Sequence, residues 1–495
     1  MQRTLWLGVA ASVCIALGSY GAGATRNRSG LMRELGLDAL TYGHGRGLMD
    51  GLLTVGILGL VVAWLLLGRA RPGLRATRLA TCAWTAPLVL SGPVLSRDVY
   101  SYLMQGAMLR DGYDPYTEGA AVNPGPYLWE VSHDWRNTTT PYGPLHLGLG
   151  KAITSVVGDD VTAGLMVYKL ISLAGFALIV WAVPRIAREL GGNAEFALWI
   201  GATNPVMLLH LVGGMHNESV MVGLVSAGLL ACIAPQRRRV AWSTAGIALI
   251  ALAVSLKATA AIALPFVVWI LLARDNGGAQ ASWPRRVGVF IGSGAWTVAV
   301  TAAVVNLVTV LSGSSWGWVE EISGNSKVVN PLAGPTLLAE LITPIAQLIN
   351  EDFHYNSALA ATRAASGILM LAGLVVVWWF FRPKDRALAS STAVAGTTAA
   401  YAVAFVANSV TLPWYYASLI SRVGTFRAPA WVERVAVGGS VVIALAFTGS
   451  GNHRFYDPWF LVLAPFAALL SVVLVWPRGD VDKQVGARTP SPARA

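Results

Sequence analysis

Charge is what this chain has least of. Only 12% of its 495 residues are Asp, Glu, Lys or Arg, about half the share of an ordinary soluble domain, so a single soluble globule is excluded. The 55% of apolar residues supplies material for at most about 13–14 membrane spans of ~20 residues each. Cysteine is scarce too. Cys14, Cys82 and Cys232 all lie within apolar runs, a pattern that argues against a disulfide framework and against a thiolate metal centre. In place of charge the chain carries 52 Gly and 19 Trp. These are the residues that let membrane helices approach closely and that settle at the water–lipid boundary.

Fourteen apolar runs follow one another, near 5–22, 48–68, 79–95, 161–183, 194–212, 217–234, 240–256, 258–273, 287–311, 358–381, 387–407, 412–427, 433–448 and 458–476. The run at 412–427 is short and contains Arg422. Lys and Arg resist translocation, so they mark cytoplasmic loops, and alternating spans pass that test. Arg69, Arg71, Arg75 and Arg78, then Arg237, Arg238 and Arg239, fall on one side, while carboxylates collect on the other. The predicted protein is an all-α polytopic protein of the plasma membrane with both termini cytoplasmic. Residues 1–476 form one transmembrane domain and 477–495 a disordered cytoplasmic tail. A cleaved leader ending near Ala22-Gly23-Ala24 is the competing reading of the first run, and it leaves the outside placement of 23–47 unchanged. The net charge of +11 then reports orientation and gives no sign of nucleic-acid binding.

Two long outer segments, 96–160 and 312–357, gather aromatics, prolines and carboxylates, and loops this long in a compact membrane protein carry function. The first opens Ser96-Arg97-Asp98-Val99-Tyr100-Ser101-Tyr102-Leu103-Met104-Gln105. At helical spacing Val99, Leu103 and Ala107 form one stripe with Tyr100, Met104 and Met108 beside it. Asp98, Ser101, Tyr102 and Gln105 face the other way. Such a helix is expected to lie in the membrane surface, with Asp98 either a helix cap or a reactive carboxylate. Tyr127, Trp129 and Trp135 further on read as interfacial anchors or as platforms for sugar faces. In the second segment Trp316, Trp318, Glu320, Glu321, Asn325 and Lys327 precede an amphipathic stretch. Its Leu338, Leu341, Ile342, Ile345 and Ile349 share one face, predicting a second interfacial helix.

Other polar groups cluster at the same level. His216, Asn217 and Glu218 sit where one span ends and the next begins, an expensive set for capping alone. Two of them are too few to claim a metal. Lys257 ends the run Ala253 to Leu256 and reads as a snorkelling lysine or as a partner for a lipid-linked phosphate. Lys169 and Arg363 fall inside spans, where charge is paired or functional; their partners are not legible in the sequence.

The combination Ser96 to Tyr102 with Gln105-Gly106-Ala107, Asp114-Pro115-Tyr116, Pro141-Tyr142-Gly143-Pro144, Asn204-Pro205, Gly213 to Glu218, Lys257-Ala258-Thr259 and Leu412-Pro413-Trp414-Tyr415-Tyr416 resembles a known family. It is that of the actinobacterial polyprenyl-phosphomannose-dependent α-(1→6)-mannosyltransferases of lipomannan assembly. The resemblance implies the GT-C glycosyltransferase architecture, with about 13–14 transmembrane helices and a site on the outer face. It implies a polyprenyl-phosphate-mannose donor, an α-(1→6)-mannan glycolipid acceptor, and Asp98 as the catalytic base. Lys257 and His216 are the candidates for the donor phosphate. Tyr100, Tyr102, Gln105, Tyr142, Asn217, Glu218, Trp414 and Tyr415 are candidates for sugar or acceptor. No cofactor is implied with certainty; a divalent cation stays possible, with no ligand cluster to support it. Two other readings keep a place: a flippase for lipid-linked sugar, and a GT-C transferase of arabinose or glucose.

Overall fold

A computed structural model describes residues 1–28, 30–234, 237–275, 282–324 and 329–477; the predicted tail, from 478 on, lies outside the described residues. Among the described residues the secondary structure is helical, with one isolated bridge between Phe447 and His453.

Among the described residues eight helices are long and apolar enough to cross a membrane: Gln2–Ala22, Gly43–Ala70, Val161–Glu189, Arg239–Leu256, Trp283–Ser312, Tyr355–Phe380, Ala389–Ala407 and Pro458–Val475. Each coincides with one of the fourteen predicted runs. The other six runs are real apolar segments but are not long helices. Leu74–Val89, Glu218–Ile233 and Ala430–Leu445 have 16 residues each, about 24 Å at 1.5 Å per residue, short of a ~30 Å hydrocarbon core. The run 258–273 starts as a 3₁₀ turn before its helix, and 412–427 divides into Pro413–Tyr416 and Ala417–Val423.

The run at 194–212 breaks for a local reason. Asn204 turns its side chain onto the backbone N–H of Val206 (2.9 Å), and Pro205 supplies no N–H to continue the ladder. The chain resumes as a π-helix, Met207–Gly213, a rare form that is frequent at functional sites. It then bends by 112° into Glu218–Ile233. The core around this break is closed by Trp64 and Trp199, stacked at 4.7 Å, each indole N–H donating to the other's backbone carbonyl.

The Asp98–Arg110 helix is more enclosed than its amphipathic pattern suggests. Nine of its residues are buried, so it is packed between other elements of the protein. Gly106 explains how: a Cβ there would stand 2.1 Å from the carbonyl carbon of Gly150. Two glycines let this helix press backbone to backbone on Pro144–Val157. The second amphipathic helix, Gly334–Gln347, behaves as expected, with Leu341, Ile342 and Ile345 exposed and Ala339 and Thr343 buried.

Candidate active site

Asp98 is the first residue of its helix and makes no capping bond, so the capping role is not the one it takes. Its backbone N–H donates to Ser96 Oγ at 3.0 Å, and its Oδ2 receives the Tyr102 hydroxyl at 3.4 Å and lies 3.6 Å from His216 Nδ1. The side chain is 16% exposed and opens onto a cavity of about 360 Å³. Burial pushes its carboxyl up to about 6, with the Glu218 carboxylate adding to the rise and Ser96, Lys257 and Tyr102 opposing it. An acid held there is a proton acceptor near neutral pH.

The cavity wall divides by origin. One set of residues comes from the Asp98 helix and the outer segments: Asp98, Ser101, Tyr102, Gln105, Trp135 and Glu321 among them. A second, apolar set comes from the 3₁₀ turn and the long helices that follow it: Ile262, Met370, Leu374, Ala404 and Phe405. Lys257, Tyr142 and Tyr415 border the same space. The Lys257 ammonium pairs with the Glu218 carboxylate and stands over the Tyr415 ring at 3.9 Å and the Tyr142 ring at 5.4 Å. Its place is set by the main chain. Gly143 donates to Leu256 O at 3.1 Å, and a Cβ at Gly143 would fall 2.3 Å from Ser255 O.

Behind this wall runs a neutral relay of side chains. Asn217 Nδ2 donates to His146 Nδ1 at 3.2 Å, and His146 Nε2 donates to Gln105 Oε1 at 3.1 Å, which also receives Thr140 Oγ1. Burial holds the His146 imidazole far below its ordinary value, at about 3, so it orients Gln105 and carries no charge. His146 also packs against the Tyr102 and Tyr142 rings at 4.8 and 4.4 Å.

Of the predicted residues, Asp98, Tyr102, Gln105, Tyr142, Lys257 and Tyr415 line the cavity. His216, Asn217, Glu218 and Trp414 form the layer behind: His216 is fully buried and stacked on Trp414 at 3.6 Å. Tyr100 belongs to neither. Its hydroxyl donates to Ala24 O and Arg97 lies over its ring, which removes it from the group expected to touch sugar. Trp135 reaches the cavity, whereas Trp129 is exposed under Arg28 and Tyr127 donates to Gly158 O. Asn325 and Lys327 lie outside the described residues.

Three residues take roles that the sequence reading did not give them. His146 stands between Leu145 and Leu147, with no polar neighbour in the chain to mark it. Glu321, which accepts a hydrogen bond from Thr139 across the cavity, lay in a segment whose partners are far away in the chain. Glu130 is fully buried and receives Asn27 N–H, Arg28 N–H and Arg97, fixing the segment just before Asp98. Among the described residues no group of three or more His, Cys, Asp or Glu side chains is placed to hold a metal ion. A larger cavity, about 1110 Å³, opens between Arg71, Asn193, Arg427 and Trp476 at the far end of the Gly43–Ala70 helix; it contains none of the predicted site residues.

Residues 5–273 match the family model described as α-(1→6)-mannopyranosyltransferase, N-terminal domain, and residues 335–476 that of the MptB C-terminal domain. The chain belongs to the α-(1→6)-mannopyranosyltransferase family. It is 53% identical to α-(1→6)-mannopyranosyltransferase A of Corynebacterium glutamicum, over 97% of this chain and 99% of that one. With the A enzyme of Mycobacterium tuberculosis it shares 38% identity, over 98% and 92% of the two chains. The C. glutamicum B enzyme is 28% identical over 84% of this chain and 72% of its own. A solved archaeal oligosaccharyltransferase, AglB from Archaeoglobus fulgidus, is 15% identical and covers 88% of this chain with a TM-score of 0.35, below what identity of fold requires. Family and helices together make this a multi-pass membrane mannosyltransferase.

Proposed function

We propose that this chain, on a GT-C scaffold, transfers mannose from polyprenyl-phosphate mannose to the 6-hydroxyl of an α-(1→6)-mannan acceptor. The reaction takes place on the outer face of the plasma membrane and elongates the backbone of lipomannan and lipoarabinomannan, as an A-type enzyme. The observation that carries the reading is the position of Asp98, a carboxylate with a raised pKa on a cavity bordered both by apolar helix residues and by polar outer-segment residues.

The apolar set, Ile262, Met370, Leu374, Ala404 and Phe405, suits the start of a polyprenyl chain. Trp135, Gln105 and Glu321 suit sugar hydroxyls and a sugar face. In the reaction the acceptor O6 attacks mannosyl C1 from the side opposite the phosphate. The C1–O bond breaks with its electron pair passing to the phosphate, and the β-linked donor becomes an α-linked product. Asp98 takes the O6 proton as the new bond forms, a contribution of ~10²–10⁴ in rate. Lys257 faces the growing negative charge on the phosphate. Its Glu218 partner keeps the ammonium charged and aimed while the site is empty.

The test is direct. Purified protein given polyprenyl-phosphate mannose and a short α-(1→6)-mannoside is expected to yield an acceptor longer by one hexose, α-(1→6)-linked by mass spectrometry and linkage analysis. Asp98→Asn is expected to abolish turnover with the fold intact. Normal turnover in that variant removes Asp98 as base. Translocation of the sugar lipid across vesicles with no new glycosidic bond replaces the whole reading by a flippase, and transfer from arabinosyl or glucosyl lipids alone changes the sugar.

A further inference from the structure

A buried ammonium lies beneath the site, and the reaction as described makes no use of it. Lys169, in the Val161–Glu189 helix, is 5% exposed. All its hydrogen-bond partners are neutral oxygens: Val212 O at 2.8 Å, Leu88 O and Ser91 Oγ at 3.2 Å, and Gly213 O at 3.5 Å. Taking an ammonium out of water against neutral acceptors alone is costly, and a methionine or leucine would fill the same space without that cost.

The four oxygens belong to two segments. Leu88 and Ser91 close the Leu74–Val89 helix and open the stretch into Asp98. Val212 and Gly213 are the last residues of the π-helix, four and three positions before His216. The same two segments each hold a non-glycine residue in the left-handed region, Leu95 at φ 64° and Met215 at φ 56°. Backbone of that kind is strained and persists only where the surroundings over-determine it. The segments also meet directly, Val94 N–H donating to Gly213 O at 3.4 Å. A cation suits the junction, because the terminal carbonyls of a helix carry partial negative charge and an ammonium brings three donors to several oxygens at once.

We infer that Lys169 is a positioning residue: its ammonium clasps the end of the π-helix to the segment leading into Asp98, and thereby sets the approach of His216 to the Asp98 carboxylate. It does not border the substrate cavity, so it acts through the two segments and not on substrate. The inference rests on Asp98 being the base.

The experiment is a double-mutant cycle in the full-length enzyme, with rates normalised to folded protein. Lys169→Met is expected to lower kcat on the order of 10²-fold, the scale of an ~1 Å misplacement, and to leave the donor KM within about twofold. His216→Ala is expected to cost less in the Lys169→Met background than alone, because the geometry it contributes is already lost. Lys169→Gln, which keeps two donors, is expected to fall between wild type and Lys169→Met; it enters the same cycle if the Met variant does not accumulate. Independent, multiplicative losses at 169 and 216 overturn the inference, as does a raised donor KM with kcat intact, which makes Lys169 a binding residue. Asp98→Asn is run alongside: an active Asp98→Asn sinks the base assignment, whereas an inactive one with normal Lys169→Met sinks only the clasp.

Discussion

Two helices of the outer segments carry the same sequence signature, an apolar stripe opposite a polar one, and end in different places. Asp98–Arg110 is enclosed on nearly every side, so that its polar face has only a cavity to look into, while Gly334–Gln347 leaves its leucines and isoleucines exposed. Amphipathicity alone does not decide between them. The difference lies in where the close contact falls: Gly106 meets Gly150 in the middle of one helix, whereas the other makes its close contact, Gly334 on Val406 O, only at its first residue. The exposed helix is free to rest in lipid, and the enclosed one becomes the wall of a reaction chamber.

The contrast is broken most severely at that contact. Gly106→Val places a branched side chain where 2.1 Å is available and is expected to cost about 3 kcal/mol or more, measured as lost thermal stability in detergent together with lost transfer activity. Next comes the enclosed polar face. Since Asp98 must be ionised to accept a proton, kcat is expected to fall as pH drops through about 6, well above an ordinary carboxylate. Tyr102→Phe removes a donor that stabilises the charged form, so this limb should move to higher pH, with a loss of about tenfold in kcat.

The same burial has a stability consequence. A carboxyl whose pKa is higher in the folded than in the unfolded chain favours folding while protonated and opposes it once ionised. Asp98→Asn is therefore expected to raise Tm at pH 7, and the advantage should vanish as pH falls toward about 4. The smallest effect belongs to the exposed helix, where Leu341→Ser and Ile345→Ser should change detergent stability by no more than about 0.5 kcal/mol. Losses there equal to that of Gly106→Val would erase the distinction.

Much of this could be read in advance. Helical spacing alone placed Asp98, Ser101, Tyr102 and Gln105 on one side, and all four border the cavity. What periodicity misses is contact between distant segments. Lys169 finds oxygens more than forty residues away in both directions, His146 joins Gln105 to Asn217, and Thr139 reaches Glu321. Tyr100 was misjudged against the spacing itself: it lies two residues from Asp98 and from Tyr102, nearly opposite them on the helix, beside the apolar stripe, and its hydroxyl turns to Ala24 O. The count of spans suffered from a related blindness: an apolar run at 194–212 gives no measure of how far Asn204 and Pro205 will turn it aside.

On the proposed reading, the small part of Asp98 that meets solvent does so at the cavity an acceptor would occupy. An acceptor seated there would screen the carboxylate from bulk water, so the exchange of its proton and the turnover of acceptor would be linked.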